Sequence, residues 1–124
     1  MSSAPLTILH ILDHSLPLHS GYTFRSQEIL RAQRQRGWRP LALTSPRHEK
    51  NWQGPVESVE EINGFPYYRT GQVQTKQNAL PAEAQLMRAL IRRLSEVVLR
   101  ERPHLLHAHS PILNALPALW VGRK

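Results

Sequence analysis

The segment that points to the class of fold lies near the N-terminus and reads LTILHILDHSLPLHSGYTFRSQEILRAQRQRGWRPLALT, residues 6–44. Leu6–Leu12 is a short apolar run with β-branched residues, which predicts a buried strand. Tyr22–Arg36 indicates a helix, with Ser20 as its N-cap and a glycine just after its end. Trp38–Thr44 predicts a second strand. Strand, loop, helix and strand in this order form a βαβ unit, which builds parallel sheets covered by helices.

A hairpin is predicted further along the chain. Ser45–Pro55 is polar and basic, which indicates a loop. Val56–Ile62 and Phe65–Thr70 flank an Asn-Gly pair, the preferred sequence of a type I′ turn, and therefore predict two antiparallel strands. Pro66 lacks a backbone N–H, so it favours an edge position for the second of these strands.

The clearest helix follows a polar loop over Gly71–Ala79. Pro81 suits the first turn of this helix, and Pro103 ends it. Apolar residues recur at helical spacing on one face: Leu86, Leu90, Ile91, Leu94, Val97 and Val98. His104–His109 then predicts a third core strand, and Ser110 has the position of an N-cap that opens a last helix. The predicted fold is therefore α/β and Rossmann-like, with a mostly parallel sheet and flanking helices.

Composition and charge limit the classes of function open to this chain. The chain has 124 residues, no cysteine and a net charge of +7. This length suits one domain, and the absence of cysteine excludes disulfides, thiolate metal sites and cysteine nucleophiles. The charge favours anionic partners such as phosphates or anionic lipid. We find no signal-peptide pattern and no apolar stretch of about 20 residues. The expected location is the cytoplasm, with peripheral contact at the inner membrane face.

The predicted ligand site lies at the carboxyl ends of the strands, where open α/β sheets bind ligands next to a reversal of strand order. If the third core strand neighbours the first, the loops Asp13–Gly21 and His107–Ser110 meet there. A helix N-terminus binds anions through its N–H groups and its positive dipole end. Gly21 would allow close approach of such a ligand, or it is an ordinary first residue of the helix. Arg25 reaches the same anion or is exposed to solvent.

Two histidines have three interpretations. His107 and His109 are two residues apart on a strand and share one face. His109 contacts substrate at the strand tip; or both imidazoles bind a metal, with Asp13 or His14; or His107 is a core residue and His109 caps a loop. No common metal-binding spacing supports the second interpretation. We therefore predict no metal.

Four motifs in this order resemble the start of bacterial family-4 glycosyltransferases. They are ILHILDHSLPLHSGYTFRS over residues 8–26, QRQRGW over 33–38, LTSPRH over 43–48 and PHLLHAHSP over 103–111. The similarity is greatest to the branch associated with exosortase and exopolysaccharide gene clusters, and it covers almost the whole chain.

The resemblance implies a retaining transferase of the GT-B architecture, in which two Rossmann-like domains face each other across a cleft. The N-terminal domain mainly binds the acceptor and the C-terminal domain the nucleotide sugar, a substrate that needs no further cofactor and no obligatory metal. His109 matches the catalytic histidine of the cleft. Residues expected to bind donor phosphate or acceptor are Ser20, Gly21, Arg25 and Ser110. Residues expected to support the site are Asp13, His14 and His107.

Members of this family are much longer than this chain. Residues 1–124 therefore correspond to a truncated N-terminal domain, the incomplete N-terminal half of a GT-B enzyme, and the C-terminal donor-binding domain is absent. Such a chain alone is not expected to transfer sugar, because catalysis needs donor and acceptor held together. The expected partners are a nucleotide sugar, a glycan or lipid-linked acceptor, an anionic membrane surface and a second copy docked at an unpaired sheet edge.

Two other hypotheses follow from the residues alone. The net charge of +7 would suit a non-enzymatic basic module that binds anionic lipid or nucleic acid, although nucleic acid is not the expected partner. The histidines would suit a small metal-dependent enzyme.

Overall fold

A computed structural model describes residues 5–17, 19–51, 54, 57–71, 81–109 and 121–122. Within these residues the elements are β1 Thr7–Leu12, α1 Gly21–Gln35, β2 Arg39–Thr44, α2 Arg47–Asn51, β3 Val59–Ile62, β4 Phe65–Arg69, α3 Ala82–Glu101 and β5 Leu105–Ala108. Most of the predicted loop after Gly71 and the predicted last helix with its cap Ser110 lie outside the described residues.

The five strands form one sheet in the order β3-β4-β2-β1-β5. Its pairs are parallel except for the hairpin of β3 and β4. Leu9 of β1 lies opposite Leu41 of β2 on one side and Leu106 of β5 on the other. The predicted βαβ unit and the α/β, Rossmann-like fold class are thus confirmed.

Alternate residues of the strands supply two apolar clusters, because successive side chains point to opposite faces of a sheet. One cluster joins Leu9 and Ile11 to Leu90 and Leu94 of α3. The apolar stripe predicted for this helix is therefore confirmed. The other cluster packs Leu30 of α1 against the sheet. Each fully buried leucine contributes about 1.5 to 3 kcal/mol relative to exposure, so these clusters hold both helices on the sheet.

Local signals fix the ends of α1. The Ser20 hydroxyl oxygen accepts from the Thr23 backbone N–H at 3.1 Å, and the Thr23 hydroxyl oxygen accepts from the Ser20 N–H at 2.9 Å. This reciprocal pair is a capping box, which satisfies two donors at the start of the helix. Gly37 follows the helix with φ of +86°, a left-handed conformation that suits glycine.

The first predicted loop after β2 contains a helix, so that prediction is wrong over Arg47–Asn51. The Ser45 hydroxyl oxygen accepts from the Arg47 N–H at 3.2 Å, and the Ser45 carbonyl accepts from the His48 N–H at 3.1 Å. A serine before a helical turn is a strong local cap, and it outweighs the polar composition of the segment.

The hairpin has the predicted Asn-Gly turn, with φ of +54° at Asn63 and +82° at Gly64. The expected edge position of its second strand is wrong, because β4 lies between β3 and β2. Pro66 is tolerated there because the pairing of β4 with β2 starts only at Tyr67. The missing N–H therefore interrupts no bond of that ladder.

No helix among the described residues is both long and apolar enough to cross a bilayer.

Candidate functional site

The carboxyl ends of β1 and β5 lie side by side. Ile11 is the register partner of Ala108, and the His109 N–H donates to the Ile11 carbonyl at 3.0 Å. From β1 the chain continues to β2 on one side, whereas β5 lies on the other, so the strand order reverses between β1 and β5. Their carboxyl ends therefore meet at a switch point, the usual ligand position in such sheets. The structure therefore places His109 beside the end of β1, from which the loop leaves, while Ser110 lies outside the described residues.

Aromatic and polar contacts hold the loop after β1 against the start of α1. The Asp13 backbone N–H donates to the Tyr22 hydroxyl at 3.1 Å. The His14 ring lies 4.7 Å from the Tyr22 ring, and its Nε2 is 3.3 Å from the Ser20 hydroxyl. Burial lowers the pKa of His14, against the opposing effect of the Asp13 charge. Asp13, His14 and Ser20 thus form one connected group at the predicted site.

A buried arginine also binds this loop. The sequence analysis did not identify it. Arg69, at the end of β4, is only 2% exposed. Its guanidinium donates to the Ser15 hydroxyl at 2.5 Å, to the Leu16 carbonyl at 2.6 Å and to the Glu60 carboxylate at 2.7 Å. These bonds join the hairpin to the loop, so Arg69 fixes the position of the loop.

His48 is a second buried group beneath the loop. Its Nδ1 accepts from the Ser15 backbone N–H at 3.3 Å. Burial, together with the nearby Arg69 and His14, lowers the pKa of His48 to about 3. The imidazole is therefore neutral at physiological pH and acts as a hydrogen-bond acceptor for the loop.

Gly21 and Arg25 lie on the open side of the helix start. Both are exposed, and a Cβ built on Gly21 would meet no protein atom within 4 Å. The fold therefore does not require glycine at this position. Burial, the neighbouring histidines and the Arg25 charge lower the pKa of His109 to about 4. Arg25 is thus close enough to His109 for its positive charge to disfavour protonation of the His109 ring.

Three histidines lie close together where β1 pairs with β5: His10, His107 and His109. His10 and His107 are register partners on β1 and β5, and the rings of His107 and His109 stack with centroids 4.2 Å apart. His107 is exposed, so its interpretation as a core residue is wrong, whereas His10 is buried. Sequence reasoning missed His10. The sequence feature that could have identified His10 is the presence of a titratable residue inside an apolar strand.

The polar partner of His10 comes from α1. The His10 Nε2 lies 2.7 Å from the Gln33 side-chain oxygen, and its Nδ1 lies 2.8 Å from the His109 Nε2. An amide oxygen only accepts, so the His10 Nε2 carries a proton and its Nδ1 accepts from His109. Burial lowers the pKa of His10 despite the Gln33 contact.

Open α/β sheets commonly bind ligands at such a switch point, and helix N-termini commonly bind phosphate groups. A family model described as a glycosyl transferase 4-like domain matches residues 20–124. The chain belongs to this family, whose members act in general on a sugar donor and an acceptor. No curated protein and no solved structure matches the chain significantly.

Proposed function

We propose that this chain forms the acceptor-side wall of a retaining family-4 glycosyltransferase of GT-B architecture that acts in exopolysaccharide synthesis. The observation that supports the proposal is that His109 lies beside the end of β1 at the switch point, within reach of the Arg25 charge of α1, in a chain of this family. The substrates in this proposal are a nucleotide sugar and a glycan or lipid-linked acceptor.

The proposed roles follow from charge and position. During transfer, the bond between the sugar's anomeric carbon and the donor phosphate breaks, and negative charge develops on the leaving phosphate. Arg25 and the N-terminal N–H groups beside Ser20 and Gly21 supply positive potential where that charge would form. His109 has a pKa of about 4 and is therefore neutral at physiological pH. In this role it accepts a hydrogen bond from a sugar hydroxyl rather than adding a cation.

The proposal also requires a second, donor-binding domain opposite this wall. Glycosyl transfer gains its rate from a cleft that holds both reactants in fixed geometry, and one wall leaves the donor unconstrained. We expect the purified 124-residue chain to show no turnover of nucleotide sugars in a product-release assay. Transfer by this chain alone would contradict the requirement for a second domain. The proposal places the protein in the cytoplasm, with the acceptor presented at the inner membrane face.

Isothermal titration with a nucleoside diphosphate tests the anion site. Arg25→Gln is expected to weaken binding about tenfold, the equivalent of about 1.4 kcal/mol. Arg31→Gln is the matched control, because Arg31 is another exposed arginine of α1 and pairs with Glu28 at 3.1 Å. An equal loss in both variants would contradict the proposed site, since it would show a general effect of charge.

Gly21→Ala tests close approach of the ligand to the backbone. A methyl group at this position meets no protein atom, so the variant should fold like the parent. We expect it to weaken nucleoside diphosphate binding, because the new methyl group would occupy space next to the first N–H groups of α1. Unchanged affinity would show that the ligand does not approach Gly21.

A further inference from the structure

The three-histidine cluster has the composition of a transition-metal site. The nearest ring nitrogens of His10, His107 and His109 all lie within 4.8 Å of one another. We propose that these three imidazoles bind one divalent metal ion of the zinc class, with an open fourth position for an oxygen ligand. Three histidines with one open position form a known type of zinc coordination.

The backbone places the three ligands in a fixed arrangement. His10 and His107 lie opposite each other on parallel strands, and His109, just past the end of β5, stacks on His107. In tetrahedral coordination with Zn–N distances of about 2.0 to 2.1 Å, the ligand nitrogens are about 3.3 Å apart. The His10 and His109 nitrogens at 2.8 Å need only a small separation. His107 is exposed, so its ring can rotate to close the triangle.

Gln33 orients the buried ligand. Its side-chain oxygen accepts from the His10 Nε2, which leaves the lone pair of the His10 Nδ1 facing His109. Metal-bound histidines usually donate their second ring N–H to such an acceptor, which fixes the ring and its tautomer. In the metal-free protein, the His109 proton lies between the two rings. On binding, the metal takes that position and the proton of His109 is carried on its Nδ1.

The ligand set selects the metal. Imidazole nitrogens suit zinc, copper, nickel and cobalt, whereas magnesium, calcium and manganese prefer oxygen ligands. His107 is exposed and His109 is half-buried, so the fourth position would be open to the crevice. Metal binding does not depend on the proposed transferase function. In the metal-free protein the His109 Nε2 donates to His10, so the Nδ1 is the nitrogen that would accept from a sugar hydroxyl. A bound metal would leave the proton on that Nδ1, so the two roles of His109 exclude each other.

Titration of tag-free protein with Zn²⁺, and separately with Co²⁺, tests the site. We expect one equivalent of Zn²⁺ to bind, and Co²⁺ to give the intense visible absorption of tetrahedral coordination. His107→Gln should weaken Zn²⁺ binding by more than about tenfold, the lower range seen for loss of an outer-shell partner alone. His19→Gln is the matched control, because His19 is also exposed and lies outside the cluster. Circular dichroism checks that both variants fold.

Gln33 is tested as a positioning residue. Gln33→Ala should lower Zn²⁺ affinity about tenfold and change the Co²⁺ spectrum, and Gln33→Glu, which keeps an oxygen acceptor, should restore both. A role in stability alone would leave the spectrum unchanged. Absence of one-equivalent binding, or equal weakening by His107→Gln and His19→Gln, would overturn the proposal and show that the three rings form a metal-free hydrogen-bonded cluster.

Discussion

Arg69→Met removes the guanidinium that joins the hairpin to the loop after β1 and keeps most of the aliphatic volume. The parent side chain is almost completely buried and donates to Glu60, Ser15 and Leu16. After the substitution, these acceptors remain in place without their donor. The expected result is a large loss of stability and a displaced loop beside the candidate site.

The expected loss of stability follows from the buried groups that lose the guanidinium as their partner. Removing one partner of a buried ion pair costs about 3 to 5 kcal/mol. The Glu60 side chain is 19% exposed, so water can recover part of its solvation and the lower end of that range applies. The Ser15 hydroxyl still donates to the Leu16 carbonyl at 3.0 Å, so the loss of the arginine bonds to these two oxygens adds at most about 1 kcal/mol. We therefore expect the free energy of unfolding to fall by about 3 to 4 kcal/mol.

Urea unfolding followed by circular dichroism measures this loss. Arg31→Met is the control, because an exposed ion pair contributes at most about 1 kcal/mol. Adding Glu60→Gln to Arg69→Met removes the orphaned charge and should restore about 1 to 2 kcal/mol. A loss below about 1 kcal/mol for Arg69→Met, or one no larger than that of the control, would refute the argument.

Two further predictions concern protonation and backbone strain. His48 is neutral when folded, with a pKa of about 3 against 6.5 unfolded, so the unfolded state binds the proton first. The free energy of unfolding should therefore fall as pH drops from 6.5 towards 3, by up to about 1.4 kcal/mol per pH unit. His48→Gln should flatten this slope when urea midpoints are measured over the acid range. Identical slopes in the parent and the variant would contradict the assignment. Gly64→Ala should cost about 1 to 2 kcal/mol in thermal unfolding, because φ is +82° and the new Cβ would lie 3.0 Å from the Arg34 side chain. Gly21→Ala serves as its neutral counterpart, and equal costs for the two would show that strain is not the cause.

Local signals in the sequence were sufficient for most of the fold. Ser20 caps α1, and apolar residues form a stripe along α3. Each of these signals acts within a few turns of chain, so both can be predicted from the sequence. The short helix α2 is not predicted, because the segment is polar and the Ser45 cap acts over a single turn. The internal position of β4 differs from the edge position that Pro66 predicts, because its missing N–H affects one position only and pairing with β2 begins at Tyr67.

The site was only partly predictable, for a different reason. The loop after β1 and His109 were expected to meet because switch-point geometry is common to open α/β sheets. His10 and Arg69 were not identified, because their roles arise from contacts between residues far apart in the chain. His10 lies 99 positions from its partner His109, and Arg69 lies 54 from Ser15. No local pattern distinguishes such a buried arginine from a solvated one.

A map of amide chemical shifts during titration with a nucleoside diphosphate tests the position of the ligand site. We expect the changes to concentrate at residues 13–16 and 19–21, at Arg25 and at His109. Changes spread along the exposed arginines of α3, Arg88, Arg92 and Arg100, would instead indicate a general anionic surface contact. That result, or no change at millimolar ligand, would contradict the claim that the switch point between β1 and β5 is the ligand site.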